Sequence, residues 1–224
     1  MKLSIIIPVF NELSTIRQVI DEVNRVAVDK EVIVVDDGST DGTAEEVSRL
    51  EDSVARVYHS PVNFGKGAAI RVGLTYITGD VVVIQDADGE LNPNEYHLLL
   101  SRIEAGADVV YGSRFLTPNP NISRINRLAN RFLTILTNLL YGCRLTDMET
   151  AYKMFRTEVA RKLRLKCFGF EVEPELTAQF LKLGYRIDEV PISYRPRTQE
   201  EGKKITWRDG VRAIYYLLFY RFFR

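Results

Sequence analysis

The segment DVVVIQDADGELNP, residues 80–93, constrains this chain most. Four apolar residues from Val81 run through Gln85 into Asp86, Asp88 and Glu90. A short, continuous, β-branched run reads as a strand covered on both faces, as in a parallel sheet. Such a strand ends in acids only where something positive meets them, because burying an unpaired carboxylate is costly. The same plan recurs along the first half. LSIIIPVF, KEVIVVDD, ARVYHSP and ADVVYGSRF are further apolar strands. Helical spacing separates them, as in Leu13, Ile16, Val19, Ile20 and Val23, in the run from NFGKG to Ile77, and in NPNEYHLLLSRIEAG. Strands alternating with helices predict an α/β fold with a doubly wound, mainly parallel sheet. Ligands of such sheets bind beyond the carboxyl ends of the strands, where DDGSTD, NFGKG and DADGE all fall.

The 224 residues suit one domain, and 46% hydrophobic against 27% charged residues is ordinary for a globular chain. The formal net charge is zero but unevenly distributed. Residues 1–112 carry 9 Lys/Arg and 19 Asp/Glu, whereas residues 113–224 carry 21 and 11. Chance surface charge gives such totals too. The sharper reading is an acidic half that holds a metal and a basic half that meets phosphates or an anionic membrane surface. Cys143 and Cys167 match no metal-ligand spacing or disulfide framework, so a reducing compartment is expected. MKLSIIIPVFNE is too short and too interrupted for a signal peptide, and no stretch approaches the roughly 18 apolar residues of a spanning helix. A soluble or peripheral protein is the expectation.

Asp86 and Asp88 stand two apart at a strand end, and extended residues i and i+2 point the same way. Both carboxylates, with Glu90, can converge on one cation. Hard oxygen ligands select Mg²⁺ or Mn²⁺, which commonly bridge carboxylates to substrate phosphates. A polar turn that merely ends the strand has the same composition. Asp36 and Asp37 end the second strand, where a carboxylate can accept from a nucleobase N–H or a ribose hydroxyl. NFGKGAA offers small residues at a helix start but lacks the Lys-Ser/Thr spacing of a phosphate loop, which disfavours a nucleotide-triphosphate hydrolase.

SIIIPVFNE, EVIVVDDGSTDGT, NFGKGAAIRVG, DVVVIQDADGELNP and VVYGSRF resemble, in order and spacing, the family 2 glycosyltransferases. RLANRFLTILTNLLYG, LTDMETAYKMFR and VPISYRPR resemble their polyprenyl-phosphate branch, the dolichyl-phosphate mannose synthase type. The resemblance covers nearly the whole chain and implies a GT-A fold. It implies that Pro8, Phe10, Asn11 and Glu12 border the nucleotide, with Asp37 near the base and Gly65, Lys66 and Arg71 along the nucleotide site. Asp86, Asp88 and Glu90 would hold metal and donor diphosphate; Glu90 stands where that branch often has Gln. Asp147 resembles the catalytic base of relatives with hydroxyl acceptors, or an orienting residue where the acceptor is a phosphate. Arg114 and Arg131 are candidates for the acceptor phosphate, since a guanidinium pairs with phosphate in a planar fork. Arg197 matches the arginine after VPISY. The family continues there with Gly-x-Ser-Lys, whereas this chain has TQEEGKK, with Lys203 and Lys204 as candidates for the donor phosphate.

Two amphipathic stretches bear on a lipid acceptor. Ile125, Leu128, Phe132, Ile135 and Leu139 share one helical face, and YYLLFYRFFR mixes aromatics with arginines. Such helices lie at a bilayer surface or pack on their own domain. The resemblance thus implies one domain over residues 1–224, with a nucleotide-sugar half (1–112) and an acceptor half (113–224). The expected reaction is inverting, metal-dependent transfer from GDP-mannose or UDP-glucose to a polyprenyl phosphate. The expected location is the cytoplasmic face of a membrane, docked peripherally or through a membrane-protein partner, with no nucleic acid involved. A saccharide hydroxyl acceptor with Asp147 as base, a nucleotidyltransferase and a non-enzymatic module are the alternatives.

Overall fold

The computed structural model describes residues 1–197 and 207–223, with Trp207 and Arg208 described by their backbone alone. Seven strands form one sheet: β1 (Leu3–Val9), β2 (Lys30–Asp36), β3 (Arg56–His59), β4 (Val81–Ile84), β5 (Val109–Ser113), β6 (Lys153–Arg156) and β7 (Ile187–Pro191). The helices are α1 (Ile16–Arg25), α2 (Thr43–Arg49), α3 (Lys66–Leu74), α4 (Tyr96–Glu104), α5 (Arg124–Tyr141), α6 (Thr157–Ala160), α7 (Val172–Lys182) and α8 (Trp207–Phe222). The sheet order is β3-β2-β1-β4-β6-β5-β7. All neighbours are parallel except β6, which runs antiparallel between β4 and β5.

The apolar runs behave as their composition demands. Every residue of β1 and β4 is buried, because helices cover both faces. Ile5 and Ile7 pack with Val19 and Leu99 on the face of α1, α2 and α4. Ile6 and Val82 pack with Ile70, Leu176 and Leu217 on the face of α3, α5, α7 and α8. The apolar pattern leaves β6 without a reading. Its register sets Met154 opposite Val83 and Val110. Because it opposes its neighbours, its first residue lies where β4 ends. The turn at residues 147–152 is thereby carried to the ligand edge of the sheet.

A polar knot closes the opposite edge. The buried Glu31 carboxylate accepts from Lys2 Nζ at 2.8 Å, from Gly79 N at 3.1 Å, and from Ser4 and from both the backbone and hydroxyl of Thr78. Burial works against its charge, but these donors hold the carboxyl down to about 2. A depressed carboxyl stabilises above its unfolded value and loses that contribution as pH falls through the folded value. Glu31→Ala leaves several donors without an acceptor, and a melting experiment at pH 7 should show a loss of about 2–3 kcal/mol. The deficit relative to wild type should shrink as pH is lowered from about 4.5 toward 2.

The helix α5 is a single helix of 18 residues. Ser123 caps its start, its hydroxyl accepting from Asn126 N, and Gly142 ends it at φ 68°. Ile125, Leu128, Phe132, Ile135 and Leu139 all face outward, Ile125 and Leu139 about four-fifths exposed at 80% and 78%. On α8, Val211, Tyr215 and Phe222 are exposed while Ala213, Leu217 and Tyr220 are buried. Tyr141 joins the two helices by donating to Leu217 O at 2.8 Å. Among the described residues no helix is long and apolar enough to cross a membrane.

Candidate active site

The loops after β1, β2 and β4 and the start of α3 converge at the carboxyl edge of the sheet. Pro8 is buried within β1 opposite Val35, and Phe10 follows at the strand's end, partly buried. Asn11 sits at φ 51°, a left-handed conformation that Asn tolerates. Its Oδ1 accepts from Thr40 N at 2.8 Å, while its own N–H donates to Ser39 Oγ at 2.9 Å. The first two loops are thus latched together. Asp37 accepts from Phe64 N at 3.0 Å and Gly65 N at 2.6 Å, so its carboxylate shapes the glycine-rich loop. Gly65 has φ +101°, and a Cβ there would lie 2.5 Å from Phe168 O. Only glycine fits. Arg71, one turn into α3, donates to Lys166 O at 3.3 Å and stacks on Phe168, with 4.6 Å from guanidinium to ring centroid. It braces the loop before α7 against the start of α3.

The acidic strand end meets two cations. Lys66 Nζ lies 2.7 Å from Asp86 Oδ1 and 3.0 Å from Glu173 Oε1. Burial opposes its charge, yet these two carboxylates hold its pKa above the ordinary lysine value. Glu173 in turn pairs with the fully buried Lys153 of β6. Arg197 forks onto Glu12, at 2.7 and 3.1 Å, and its Nη2 reaches Asp88 Oδ2 at 3.3 Å. Burial, then the charges of Asp86 and Glu90, push the Asp88 carboxyl up to about 7. Asp86 and Asp88 therefore form a crowded pair with an excess of negative charge, a donor set that fits a hard divalent cation.

Glu90 has other partners. Its Oε2 accepts from Tyr194 OH at 2.6 Å, its Oε1 from Arg197 N at 2.7 Å, and its carbonyl from Arg195 N at 3.1 Å. The extended run that would align it with Asp86 and Asp88 breaks at Gly89, where φ is +72°. Among the described residues no three His, Cys, Asp or Glu side chains converge as a metal site. Glu90 instead ties the segment after β7 across the acidic strand end.

On the other side of β6, Arg114 at the end of β5 binds Asp147 through Nε at 2.7 Å, Nη2 at 2.7 Å and its backbone N–H at 3.0 Å. Asp147 is fully buried and both of its oxygens are engaged. Burial opposes the charge on Arg114, but Asp147 drives its pKa further up. The same guanidinium donates to Asn130 at 3.3 Å and faces Tyr194 at 5.1 Å, so one residue links α5, the 147–152 turn and the segment after β7. Next to Asn130, the exposed Arg131 lines an open cavity of about 610 Å³ with Arg127, Leu116, Pro118, Ile135 and Leu145.

Lys203 and Lys204 lie outside the described residues. Glu173, Lys153, Glu149 and Tyr194 are the site residues that motif reading passed over. The first two carried a signal, a lysine inside AYKMF and a glutamate inside the apolar start of α7. Each is tolerable in a core only if the other pairs with it.

The geometry agrees with what comparison with known proteins finds. The model of the family described as glycosyl transferase family 2 matches residues 4–164. Polyprenol monophosphomannose synthase of Mycolicibacterium smegmatis is 30% identical over 86% of this chain and 77% of its own length. Undecaprenyl-phosphate mannosyltransferase of Micrococcus luteus is 31% identical over 91% and 87%. Glucosyl-3-phosphoglycerate synthase from Mycobacterium tuberculosis, solved with Mn²⁺, uridine diphosphate and glucosyl-3-phosphoglycerate, superposes with a TM-score of 0.73 at 26% identity, covering 98% of this chain and 79% of that one. With a mostly parallel seven-stranded sheet among its described residues and a family match over most of its length, the chain belongs to glycosyl transferase family 2 and has the GT-A fold.

Proposed function

We propose that this glycosyltransferase moves a hexose from a nucleotide-diphospho-sugar, of the GDP-mannose or UDP-glucose type, to a polyprenyl phosphate, with inversion and with Mg²⁺ or Mn²⁺. The observation that carries the choice of acceptor is the state of Asp147. Its carboxylate is fully buried and bound on both oxygens by Arg114, which leaves it poorly placed to take a proton from a hydroxyl. A phosphate monoester is already ionised at neutral pH and needs no base. The names of the mycobacterial and micrococcal relatives point to the same acceptor class.

Asp86 and Asp88 would hold the divalent cation, which when bound neutralises charge developing on the departing nucleotide diphosphate. Lys66 and Arg197 keep the two carboxylates in place. Asn11, Glu12 and the loop held by Asp37 border the nucleotide. Arg131 and the adjoining cavity would receive the acceptor, the cation taking its phosphate and Leu116, Pro118, Ile135 and Leu145 the first prenyl units. The outward apolar residues of α5 and α8 support docking on a bilayer surface, from which such a lipid would enter.

The test is transfer of radiolabel from GDP-mannose or UDP-glucose into the organic phase, with a polyprenyl phosphate in detergent or vesicles. Metal-dependent transfer is the expected result. Arg131→Ala should raise the acceptor KM by roughly 10- to 100-fold, as expected for loss of a charge-assisted hydrogen bond, and leave the donor KM unchanged. Label that passes only to a saccharide would sink the lipid-phosphate reading.

A further inference from the structure

Glu149 stands in the turn that β6 brings to the ligand edge, two residues after Asp147. Its Oε1 is buried, and among the described residues nothing donates a hydrogen bond to it. The residue as a whole keeps a partial opening to solvent, although this oxygen does not. An unsatisfied buried oxygen is costly and needs a reason. Packing supplies none, because an apolar side chain would fill the place without that cost.

The neighbours say what is missing. On one side lies the Arg114–Asp147 pair beside the acceptor cavity; on the other, Lys153 and Glu173, joined through Lys66 to Asp86. Glu149 feels Lys153, Glu173, Arg114 and Asp147, and burial pushes its carboxyl up to about 7. Lys153 and Arg114 already have carboxylate partners. Glu149 is therefore a surplus acid between the diphosphate side and the acceptor side. An anionic ligand is repelled there. A neutral group rich in hydroxyl donors is what the oxygen lacks, and in the proposed reaction the sugar is the neutral group that passes between those two sides.

We propose that Glu149 accepts hydrogen bonds from hydroxyls of the donor sugar and selects that sugar. This rests on the nucleotide-sugar reading of the site but is independent of the acceptor. Glu149→Leu and Glu149→Gln should be compared with wild type by calorimetry, using UDP, UDP-glucose, GDP and GDP-mannose with Mn²⁺. For whichever nucleotide-sugar the wild type binds, Glu149→Leu is expected to weaken binding roughly 10- to 100-fold, with the parent nucleotide diphosphate bound as before. Glu149→Gln, which keeps an acceptor oxygen without the charge, should fall between the two. Glu149→Leu should also melt no lower than wild type, since it removes an unsatisfied buried oxygen. An equal loss for nucleotide and nucleotide-sugar, or no loss for either, overturns the assignment and leaves the transferase reading standing. Wild-type protein that binds none of the four overturns both.

Discussion

Asp88→Asn will lower glycosyl transfer by roughly 10³-fold or more at saturating substrate, an effect on the scale of deleting one preorganised group that stabilises developing charge. The reason lies in the crowding at the end of β4. Asp88 carries the proximity of Asp86 and Glu90, and among the described residues its cationic contact is Arg197 at 3.3 Å. A divalent cation would relieve that repulsion. Asparagine removes the repulsion and with it the affinity for the metal, so adding Mn²⁺ up to tens of millimolar should recover little activity. The melting temperature should hold or rise, because a destabilising charge has gone. Rates from label transfer and a melting curve in the same buffer check both parts. A variant that keeps more than about a tenth of wild-type turnover would remove Asp88 from the metal site.

Arg114→Met should be the most damaging change to stability. It leaves Asp147 charged, buried and without its guanidinium, a situation that costs about 3–5 kcal/mol. In a domain of this size that corresponds to a fall in Tm of roughly 10 °C. The double variant Arg114→Met/Asp147→Leu should regain most of the loss, since a buried ion pair replaced by apolar groups is often neutral or better. It should nevertheless stay inactive, because Arg114 also orients Asn130 and Tyr194 at the acceptor side. Recovery of Tm without recovery of turnover separates the pair's two roles. An Asp147→Asn variant that folds as well as wild type and loses only turnover would favour a catalytic base at this position instead.

The legible part of this structure is the part written in long apolar runs. Val81–Ile84 and Ile5–Ile7 announce strands because both of their faces are covered, and the acids after them mark the ligand edge. What was not legible depends on contacts distant in sequence. Lys153 makes KMFR look polar and too short for a central strand, and only Glu173, twenty residues on, makes it one. Arg71 sits among nucleotide-loop residues by sequence, but its partners are carbonyls more than ninety residues away. Glu90 follows Asp88 by two positions, and alternation would place the two together. A positive φ at Gly89 cancels that alternation, and Tyr194 with Arg197 takes the carboxylate. The outward face of α5 was readable as a stripe, though periodicity alone could not say whether the stripe faced the core or the exterior.

One reversed strand decides where this fold has room to change. Parallel neighbours end at the reaction edge and hand the chain to helices, so their last residues are held by both strand and loop. Because β6 begins there, the residues that feed it lie at that edge, while Phe155 pairs with Val82 and Val109 deeper in the sheet. The acids after β4 and the 147–152 turn therefore meet at one edge although their strands run in opposite directions. Within the turn only Glu149 and Ala151 are partly open, so a change of sugar or acceptor has two positions to work through, while Asp147, Met148, Thr150 and Tyr152 answer to the core.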